Sequence, residues 1–334
     1  MLLRKLEKYI YSYNSEILEF NLEYQVNNTY KKSKIILFKV LIKKIFRSFY
    51  RFLQRNLIKP QIREIIIYFE RIFFKIISNK IEISRDQNVI NKTILLKKDS
   101  YVEIENIFNQ DELLKIREYF MSKKDLINIF ESTSGKKMDM QYYKTEDLIS
   151  FPIIIRGANN EYLNQLLSNY FECSYRLDWI WAWWSYTDEK NPSIGPQNFH
   201  RDYESFNFVK VFVYLTDVEG TDGSHQLICG SHKENKLYEI RRFSDDEISN
   251  NFNSIKIKNI DGKSGKTFVA NTFAIHKGVK PFRNNRLILC YLFSVVPSRR
   301  SPKLPVINFS SFKSDRDLLK KNQYINSLFI NYNK

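Results

Sequence analysis

Turn-forming residues are unevenly distributed along the 334-residue chain. All nine glycines lie at or beyond Gly135, and Pro60 is the only proline before Pro152. Because glycine and proline are the strongest local breaks in regular structure, the first 130 residues have few places to turn. This distribution predicts a helical N-terminal part, followed by a part built from many short elements joined by turns.

Two segments of the N-terminal part have the hydrophobic period of an amphipathic helix. In residues 36–55 the apolar side chains fall on one face, opposite a stripe of Lys and Arg. Residues 62–77 repeat the pattern with isoleucine and phenylalanine, and Pro60 separates the two segments. Two helices are therefore predicted here.

Positive charge is concentrated in the same part of the chain. The net charge of the protein is +16, and residues 1–80 hold 17 Lys and Arg against six Glu, which gives +11. Residues 31–59 contain ten basic residues and no acidic one, and a basic amphipathic helix of this kind can lie on an anionic membrane surface. Packing of its apolar face inside the protein is the favoured alternative. Nucleic acid is not expected, because no nucleic-acid-binding motif accompanies the charge.

Cysteine usage and hydropathy bear on the location of the protein. Cys173, Cys229 and Cys290 are odd in number and widely spaced, which is untypical of a disulfide framework or of a cysteine zinc site. The first residues lack the apolar core of a signal peptide, and no uncharged apolar stretch is long enough to cross a bilayer. We therefore expect a cytoplasmic protein, with contact to a membrane through residues 31–59 as a second expectation.

The period of the sequence changes near residue 95. The stretch "YVEIENIF" alternates like a strand, and Asn109 then precedes a helical pattern with Glu112 placed to complete a capping box. A strand followed by a capped helix indicates the start of a domain. The predicted organisation is a basic helical extension (1–94), a main domain (95–310) and a helical C-terminal tail (311–334).

The main domain is rich in predicted strands. In "LDWIWAWWSY", Trp179, Trp181 and Trp183 fall on one face of a strand, a row more typical of a core or pocket wall than of a recognition surface. Further strands are predicted in "NFHRDYESF", "NFVKVFVYLTDV", "SHQLICGSH", "GKTFVANTFAIHKG" and "RLILCYLFSVV". Short strands separated by turns predict a mainly β fold, a sandwich or jelly roll.

All four histidines lie between His200 and His276. In a strand His200 and Asp202 point to the same side, although such a pair alone is often only a hydrogen-bonded pair on a polar sheet face. Together with His276 they offer two imidazoles and one carboxylate, the facial triad of non-haem Fe(II) sites. Arg286, at the start of the next strand, can bind a carboxylate through two parallel hydrogen bonds.

Four ordered motifs resemble the phytanoyl-CoA dioxygenase-like branch of the Fe(II)/2-oxoglutarate-dependent oxygenases. They are "YVEIENIFNQDEL", "FHRDYESFNFVKVFVYLTDV", "DGSHQLICGSHK" and "ANTFAIHKGVKPFRNNRLILCYLF". The resemblance implies a cupin-like double-stranded β-helix, with His200, Asp202 and His276 as catalytic iron ligands and Arg286 as the residue that binds 2-oxoglutarate. It also implies oxidation of a substrate with release of succinate and CO₂.

Two positions qualify the resemblance. Family members often carry Ser two residues after the second histidine, where it helps to hold the cosubstrate, and this chain has Gly278 there. Thr272, Phe212 and Tyr214 are alternatives for shaping that end of the pocket. Related halogenases replace the carboxylate ligand with a small residue, so the presence of Asp202 favours hydroxylation.

Two histidines lie outside the triad, and the sequence is also compatible with two alternative functions. His225 and His232 are expected to form structural hydrogen bonds or to line the mouth of the site. A non-catalytic ligand-binding protein on the same jelly roll is the alternative function, and a zinc hydrolase that would not require Arg286 is a third. The expected substrate is a small molecule, a lipid or a saccharide-linked compound, which the fold alone does not identify.

Overall fold

A computed structural model describes residues 48–77, 81–123, 126, 140–187, 193, 195–220, 222–302 and 305–333. The chain divides into two compact units, residues 1–58 and 59–334. In the first unit residues 48–56 are helical, which overlaps the last part of the helix predicted over 36–55 and extends one residue beyond it. The rest of that segment, and most of the membrane-contact segment 31–59, lies outside the described residues. Within the described residues, no helix combines the length and apolar content that crossing a bilayer requires.

The second unit contains both helices and strands. Its helices are α1 (Pro60–Ile77), α2 (Gln87–Asp99), α3 (Gln110–Ser122), α4 (Thr145–Ile149), α5 (Pro152–Ala158), α6 (Glu161–Phe171), α7 (Asp245–Asn251), α8 (Arg316–Lys321) and α9 (Gln323–Asn326). Its strands are β1 (Tyr101–Ile104), β2 (Met140–Tyr142), β3 (Arg176–Ser185), β4 (Phe208–Tyr214), β5 (His225–Ile228), β6 (Ile257–Ile260), β7 (Thr267–Ala270), β8 (His276–Gly278), β9 (Arg286–Ser294), β10 (Ile307–Asn308) and β11 (Ile330–Asn331). The mainly β prediction is confirmed.

Two antiparallel sheets form the double-stranded β-helix. The larger has the order β1-β7-β4-β9-β3-β2, and the smaller has the order β6-β5-β8. Phe199 and His200 add a short irregular edge to the smaller sheet through isolated bridges to Phe243 and His276. Apolar residues of both sheets meet in one buried cluster that includes Phe212, Tyr214, Leu227, Ile260, Phe268, Ile288 and Cys290. The core therefore lies between the sheets.

Helices cover the outer face of the larger sheet. Helix α5 comes close to β9, where the Tyr291 hydroxyl donates a hydrogen bond to the Ile154 carbonyl over 2.8 Å. A Cβ atom at Gly157 would stand 2.9 Å from this hydroxyl and 2.3 Å from the Phe108 ring, so only glycine permits the contact.

Local signals at helix starts are confirmed. Helix α1 begins at Pro60, two residues before the predicted start, because proline suits the first position of a helix. Helix α3 has the predicted capping box, in which Asn109 and Glu112 exchange side-chain-to-backbone hydrogen bonds of 2.9 Å each. The predicted C-terminal helix is present as the two short helices α8 and α9, followed by β11.

Two strand predictions were wrong. The stretch "NFHRDYESF" is not a regular strand, because beyond the bridges of Phe199 and His200 its residues belong to no ladder. "GKTFVANTFAIHKG" is not one strand but two, β7 and β8, joined by a turn over 271–275. His276 therefore begins a strand of the smaller sheet, and the chain passes from one sheet to the other between Ala270 and His276.

Candidate metal centre

His200, Asp202 and His276 converge on one point. Each offers one ligand atom, and these three atoms lie within 4.8 Å of one another. The Asp202 carboxylate oxygens lie 3.5 Å from Nε2 of His200 and 3.3 Å from Nε2 of His276. The grouping predicted from sequence is thus present in the structure, although Asp202 reaches it from a loop and not from a strand.

Backbone contacts fix the orientation of the two imidazoles. Nδ1 of His200 lies 2.9 Å from the Asn198 carbonyl oxygen, and Nδ1 of His276 lies 2.9 Å from the Ala274 carbonyl oxygen. A carbonyl only accepts, so each Nδ1 is the donor in its contact, and each Nε2 faces the Asp202 carboxylate. This arrangement, with the outer nitrogen bound to a backbone carbonyl, is typical of histidine metal ligands.

Backbone pairing holds the three residues together. His200 and His276 exchange N–H···O hydrogen bonds of 2.9 Å in both directions, as one antiparallel bridge. The Asp202 amide donates to the Thr272 carbonyl over 2.9 Å. The loop that carries His200 and Asp202 is therefore fastened to the segment that ends at His276.

The charge state of the group suits a cation. Burial and the adjacent His276 ring lower the pKa of His200 to about 4, so this ring is neutral near pH 7. Burial opposes the charge of Asp202, but the Lys210 ammonium beside it holds the pKa of the carboxyl well below its usual range. Two imidazoles and one carboxylate form a donor set that fits a divalent transition metal.

Lys210 is a neighbour of the triad that sequence reasoning missed. Its Nζ donates to Oδ2 of Asp202 over 2.7 Å, and only 12% of its side chain is exposed. Lys210 lies in β4 with Phe212 and Tyr214 at the alternating positions that face the buried cluster. A lysine at an inward position of the apolar run "FVKVFVY" was the available signal, since a buried ammonium requires a charged partner.

The inner face is the face of each sheet that points toward the other sheet. Its part around His200, Asp202 and His276 is called the metal end, and its part around Arg286 is called the anchor end. Arg286 lies at the start of β9, as predicted, and is 4% exposed. Its Nη2 donates to Ser185 Oγ over 3.1 Å, and its Nη1 donates to the Gly223 carbonyl. Nε is buried and has no hydrogen-bond partner among the described residues. The guanidinium is thus held in place while part of its hydrogen-bonding capacity stays unused.

Ser185 supplies the hydroxyl at this end. Ser185 and Arg286 are direct partners in the β3–β9 register. Gly278 lies close by, since a Cβ atom there would stand 3.2 Å from Nη2 of Arg286. The hydroxyl that touches Arg286 therefore comes from β3 and not from the position two residues after the second histidine. Sequence reasoning missed Ser185, because strand pairing alone connects it to Arg286.

The three alternatives named for this end have other surroundings. The Tyr214 hydroxyl donates a hydrogen bond to the Ile260 carbonyl over 2.7 Å, so its proton is already bound to a backbone acceptor. The Phe212 ring stacks on Phe268 at 5.0 Å between centroids. Thr272 is fully buried, and its hydroxyl has no partner among the described residues, but its carbonyl binds the Asp202 amide at the metal end.

The other two histidines are both buried. A hydrogen bond joins Nδ1 of His232 to Ser100 Oγ, which agrees with the structural role expected for it. Burial, with a contribution from Lys233, lowers the pKa of His232 to about 3. His225 lies in β5, where burial lowers the pKa of its imidazole well below the usual value.

The tryptophan row lines the space between the sheets. Trp181 and Trp183 pack against the buried cluster, and the Trp183 ring stacks on Tyr142 at 5.5 Å between centroids. A wall of this kind excludes water and offers aromatic faces to a substrate. The interpretation of the row as core or pocket wall agrees with this placement.

Comparison with known proteins gives structural neighbours only. No protein-family model and no curated protein matches the chain. Among solved structures, the chain is similar to the non-heme alpha ketoglutarate dependent epimerase SnoN from nogalamycin biosynthesis (15% identity, 62% of this chain and 82% of that chain, TM-score 0.47). It is also similar to HygX from Streptomyces hygroscopicus with nickel and 2-oxoglutarate bound (16% identity, 65% of this chain and 89% of that chain, TM-score 0.46). A third similar structure is EctD from S. alaskensis with 2-oxoglutarate and 5-hydroxyectoine (13% identity, 65% of this chain and 81% of that chain, TM-score 0.47). At such identities and TM-scores the likeness decides neither the activity nor the substrate of this chain.

Proposed function

We propose that the protein is an Fe(II)/2-oxoglutarate-dependent oxygenase. The observation that carries this proposal is the convergence of two Nε2 atoms and one carboxylate within 4.8 Å, with two imidazoles already oriented for ligation. A buried arginine at the far end of the same inner face supports the proposal, because its partly unused guanidinium suits a carboxylate.

Each residue then has a defined task. His200, Asp202 and His276 hold iron, while Arg286 and Ser185 hold the distal carboxylate of 2-oxoglutarate. When bound, iron with 2-oxoglutarate and dioxygen supplies the oxidising chemistry, and succinate and CO₂ are released. Lys210 balances the charge of Asp202, and Trp181 and Trp183 keep water from the reacting atoms.

Hydroxylation is the reaction we propose within this class. Asp202 fills the ligand position that a halide would need, which argues against halogenation. Mass spectrometry of the product separates the remaining choices: hydroxylation adds one oxygen atom, ring closure or desaturation removes two hydrogen atoms, and epimerisation leaves the mass unchanged. A product of unchanged or lower mass would contradict the hydroxylase proposal.

The substrate and surroundings of the protein stay predictions. A small-molecule, lipid or saccharide-linked substrate and a cytoplasmic location are proposed. For residues 31–59, packing inside the protein is the first expectation and contact with a membrane the second. The division into 1–94, 95–310 and 311–334 is likewise a proposal. Nucleic acid is not expected as a partner.

Calorimetry tests the class directly. Metal-free protein would be titrated with Mn(II), a stand-in for Fe(II) that allows work in air, and then with 2-oxoglutarate. We expect one metal per chain and 2-oxoglutarate binding that depends on the metal. Binding of metal without 2-oxoglutarate would favour the zinc hydrolase, and binding of neither would favour the non-catalytic protein.

A further inference from the structure

His225 lies at the anchor end of the inner face. In the smaller sheet it pairs directly with Gly278, as Leu227 pairs with His276 two residues further along. Directly paired residues of an antiparallel sheet project to the same face, so the imidazole lies on the same face as position 278. That position adjoins the Arg286 guanidinium, since a Cβ atom on Gly278 would lie 3.2 Å from its Nη2.

The His225 imidazole has an unused polar atom. The residue is 5% exposed, and its Nε2 is buried with no hydrogen-bond partner among the described residues. Buried polar side-chain atoms without partners are uncommon in folded proteins and call for a specific explanation. Arg286 shows the same feature at Nε, so both residues have a buried nitrogen without a partner among the described residues.

Packing holds the His225 ring in place without a bond to Nε2. The ring stacks on His276 with centroids 5.3 Å apart and planes 17° apart, and it contacts the Phe212 ring at 4.9 Å. The group of metal-capable residues consists of His200, Asp202 and His276 and does not include His225. The imidazole is therefore positioned beside the triad without being part of it.

We propose that His225 donates a hydrogen bond from Nε2 to the distal carboxylate of 2-oxoglutarate, alongside Arg286. This inference rests on the proposed function and assigns to His225 the contact that a side chain at position 278 would otherwise make. A neutral imidazole protonated on Nε2 fits this role, because it adds a donor without a further buried charge. His225 is thus a binding residue for the cosubstrate and not a fourth metal ligand.

The test compares cosubstrate binding to metal-loaded protein. 2-Oxoglutarate would be titrated by calorimetry into Mn(II)-loaded wild type, His225→Phe and His225→Gln. Phenylalanine keeps the ring contacts but removes the donor, and we expect it to weaken 2-oxoglutarate binding by about 10- to 100-fold, the effect of one hydrogen bond to a charged group. Glutamine restores a donor near the Nε2 position, and we expect it to recover most of the affinity.

Two controls locate the contact. 2-Oxopentanoate lacks the distal carboxylate, so its affinity should be the same for wild type and His225→Phe. The Mn(II) affinity of His225→Phe should equal that of wild type. His232→Gln changes the other buried histidine outside the triad and should leave 2-oxoglutarate affinity unchanged, while thermal unfolding of each variant confirms that it is folded.

Each contrary result overturns the assignment. Unchanged 2-oxoglutarate affinity in His225→Phe would leave His225 a packing residue. Equal losses for 2-oxoglutarate and 2-oxopentanoate would place its contact away from the distal carboxylate, and weaker Mn(II) binding would make it a metal ligand. If wild type itself binds Mn(II) but no 2-oxoglutarate, the proposed function fails and the His225 assignment fails with it.

Discussion

The two ends of the inner face differ in how far the protein satisfies the polar atoms of the side chains assigned to ligand binding. At the metal end, both Nδ1 atoms bind backbone carbonyls and Asp202 has Lys210 as a partner. At the anchor end, Nε of Arg286 and Nε2 of His225 have no partner within the described residues. The metal end is thus oriented in advance by the chain, whereas the anchor end retains donors for a ligand.

This difference separates two kinds of contribution to binding. Groups already held by the backbone lose little freedom when a metal binds. Metal affinity should therefore depend mainly on the three ligating residues themselves. Unpaired buried donors are unfavourable until an acceptor arrives, so the anchor end should gain stability from an anion. The following substitutions test whether the two ends can be disturbed independently.

The largest effect is expected for Asp202→Ala. This change removes the only carboxylate of the triad, and it leaves the buried Lys210 ammonium with Glu204, 3.9 Å away, in place of Asp202. We expect metal affinity to fall by about 1,000-fold, equivalent to about 4 kcal/mol, as measured by calorimetry with Mn(II). Metal binding within tenfold of wild type would show that another group supplies the charge.

Arg286→Lys should disturb the anchor end alone. Lysine keeps the positive charge but cannot form the two parallel hydrogen bonds of a guanidinium. We expect 2-oxoglutarate affinity to fall about 100-fold while Mn(II) affinity stays at the wild-type value. A parallel loss of metal binding would mean that the two ends are coupled, and the comparison between them would no longer hold.

Lys210→Met tests the balance of charge at the metal end. With its partner removed, Asp202 carries an uncompensated charge in the metal-free protein, and we expect the free energy of unfolding to fall by about 2 kcal/mol. A bound divalent cation replaces the lost charge, so the stabilisation by Mn(II) should be larger in the variant than in wild type. Equal stabilisation by metal in both proteins, measured by chemical denaturation, would contradict this account of Lys210.

His232 belongs to neither end and gives the smallest effect. Its pKa is about 3 in the folded protein and about 6.5 when unfolded, so the unfolded state binds more protons between these values. Stability contributed by the neutral ring is therefore complete above pH 6.5 and is lost as the pH falls. We expect about 1 kcal/mol to be lost between pH 6 and pH 5 in wild type.

The matched variant for this pH effect is His232→Gln, which cannot titrate. Its free energy of unfolding should change less between pH 6 and pH 5 than that of wild type, whatever its absolute stability. Identical slopes in the two proteins would show that other groups cause the acid sensitivity.

The sequence predicted the metal end better than the anchor end. His200 and Asp202 are two residues apart, and the chain has only four histidines, so the triad could be proposed from residue type and spacing. The contact between Ser185 and Arg286 joins residues 101 positions apart, and only the pairing of β3 with β9 creates it. Contacts of that kind require the strand register, which periodicity does not supply.

Strand boundaries were the other weak point. The turn over 271–275 contains no glycine or proline, and the apolar residues on both sides of it read as one continuous strand. Asp202 lies in a loop because its amide binds the Thr272 carbonyl in that turn, a long-range contact that no local pattern predicts. The capping box at Asn109 was predictable because all of its atoms lie within four consecutive residues.

The most direct test of the assignment as an Fe(II)/2-oxoglutarate-dependent oxygenase is visible absorption spectroscopy under anaerobic conditions. Wild-type protein and Asp202→Ala would each receive Fe(II) and then 2-oxoglutarate. We expect a metal-to-ligand charge-transfer band in wild type, which appears only when both are present and is absent from Asp202→Ala. No band in a wild-type protein that is folded and loaded with Fe(II) would contradict the assignment as a 2-oxoglutarate-dependent oxygenase.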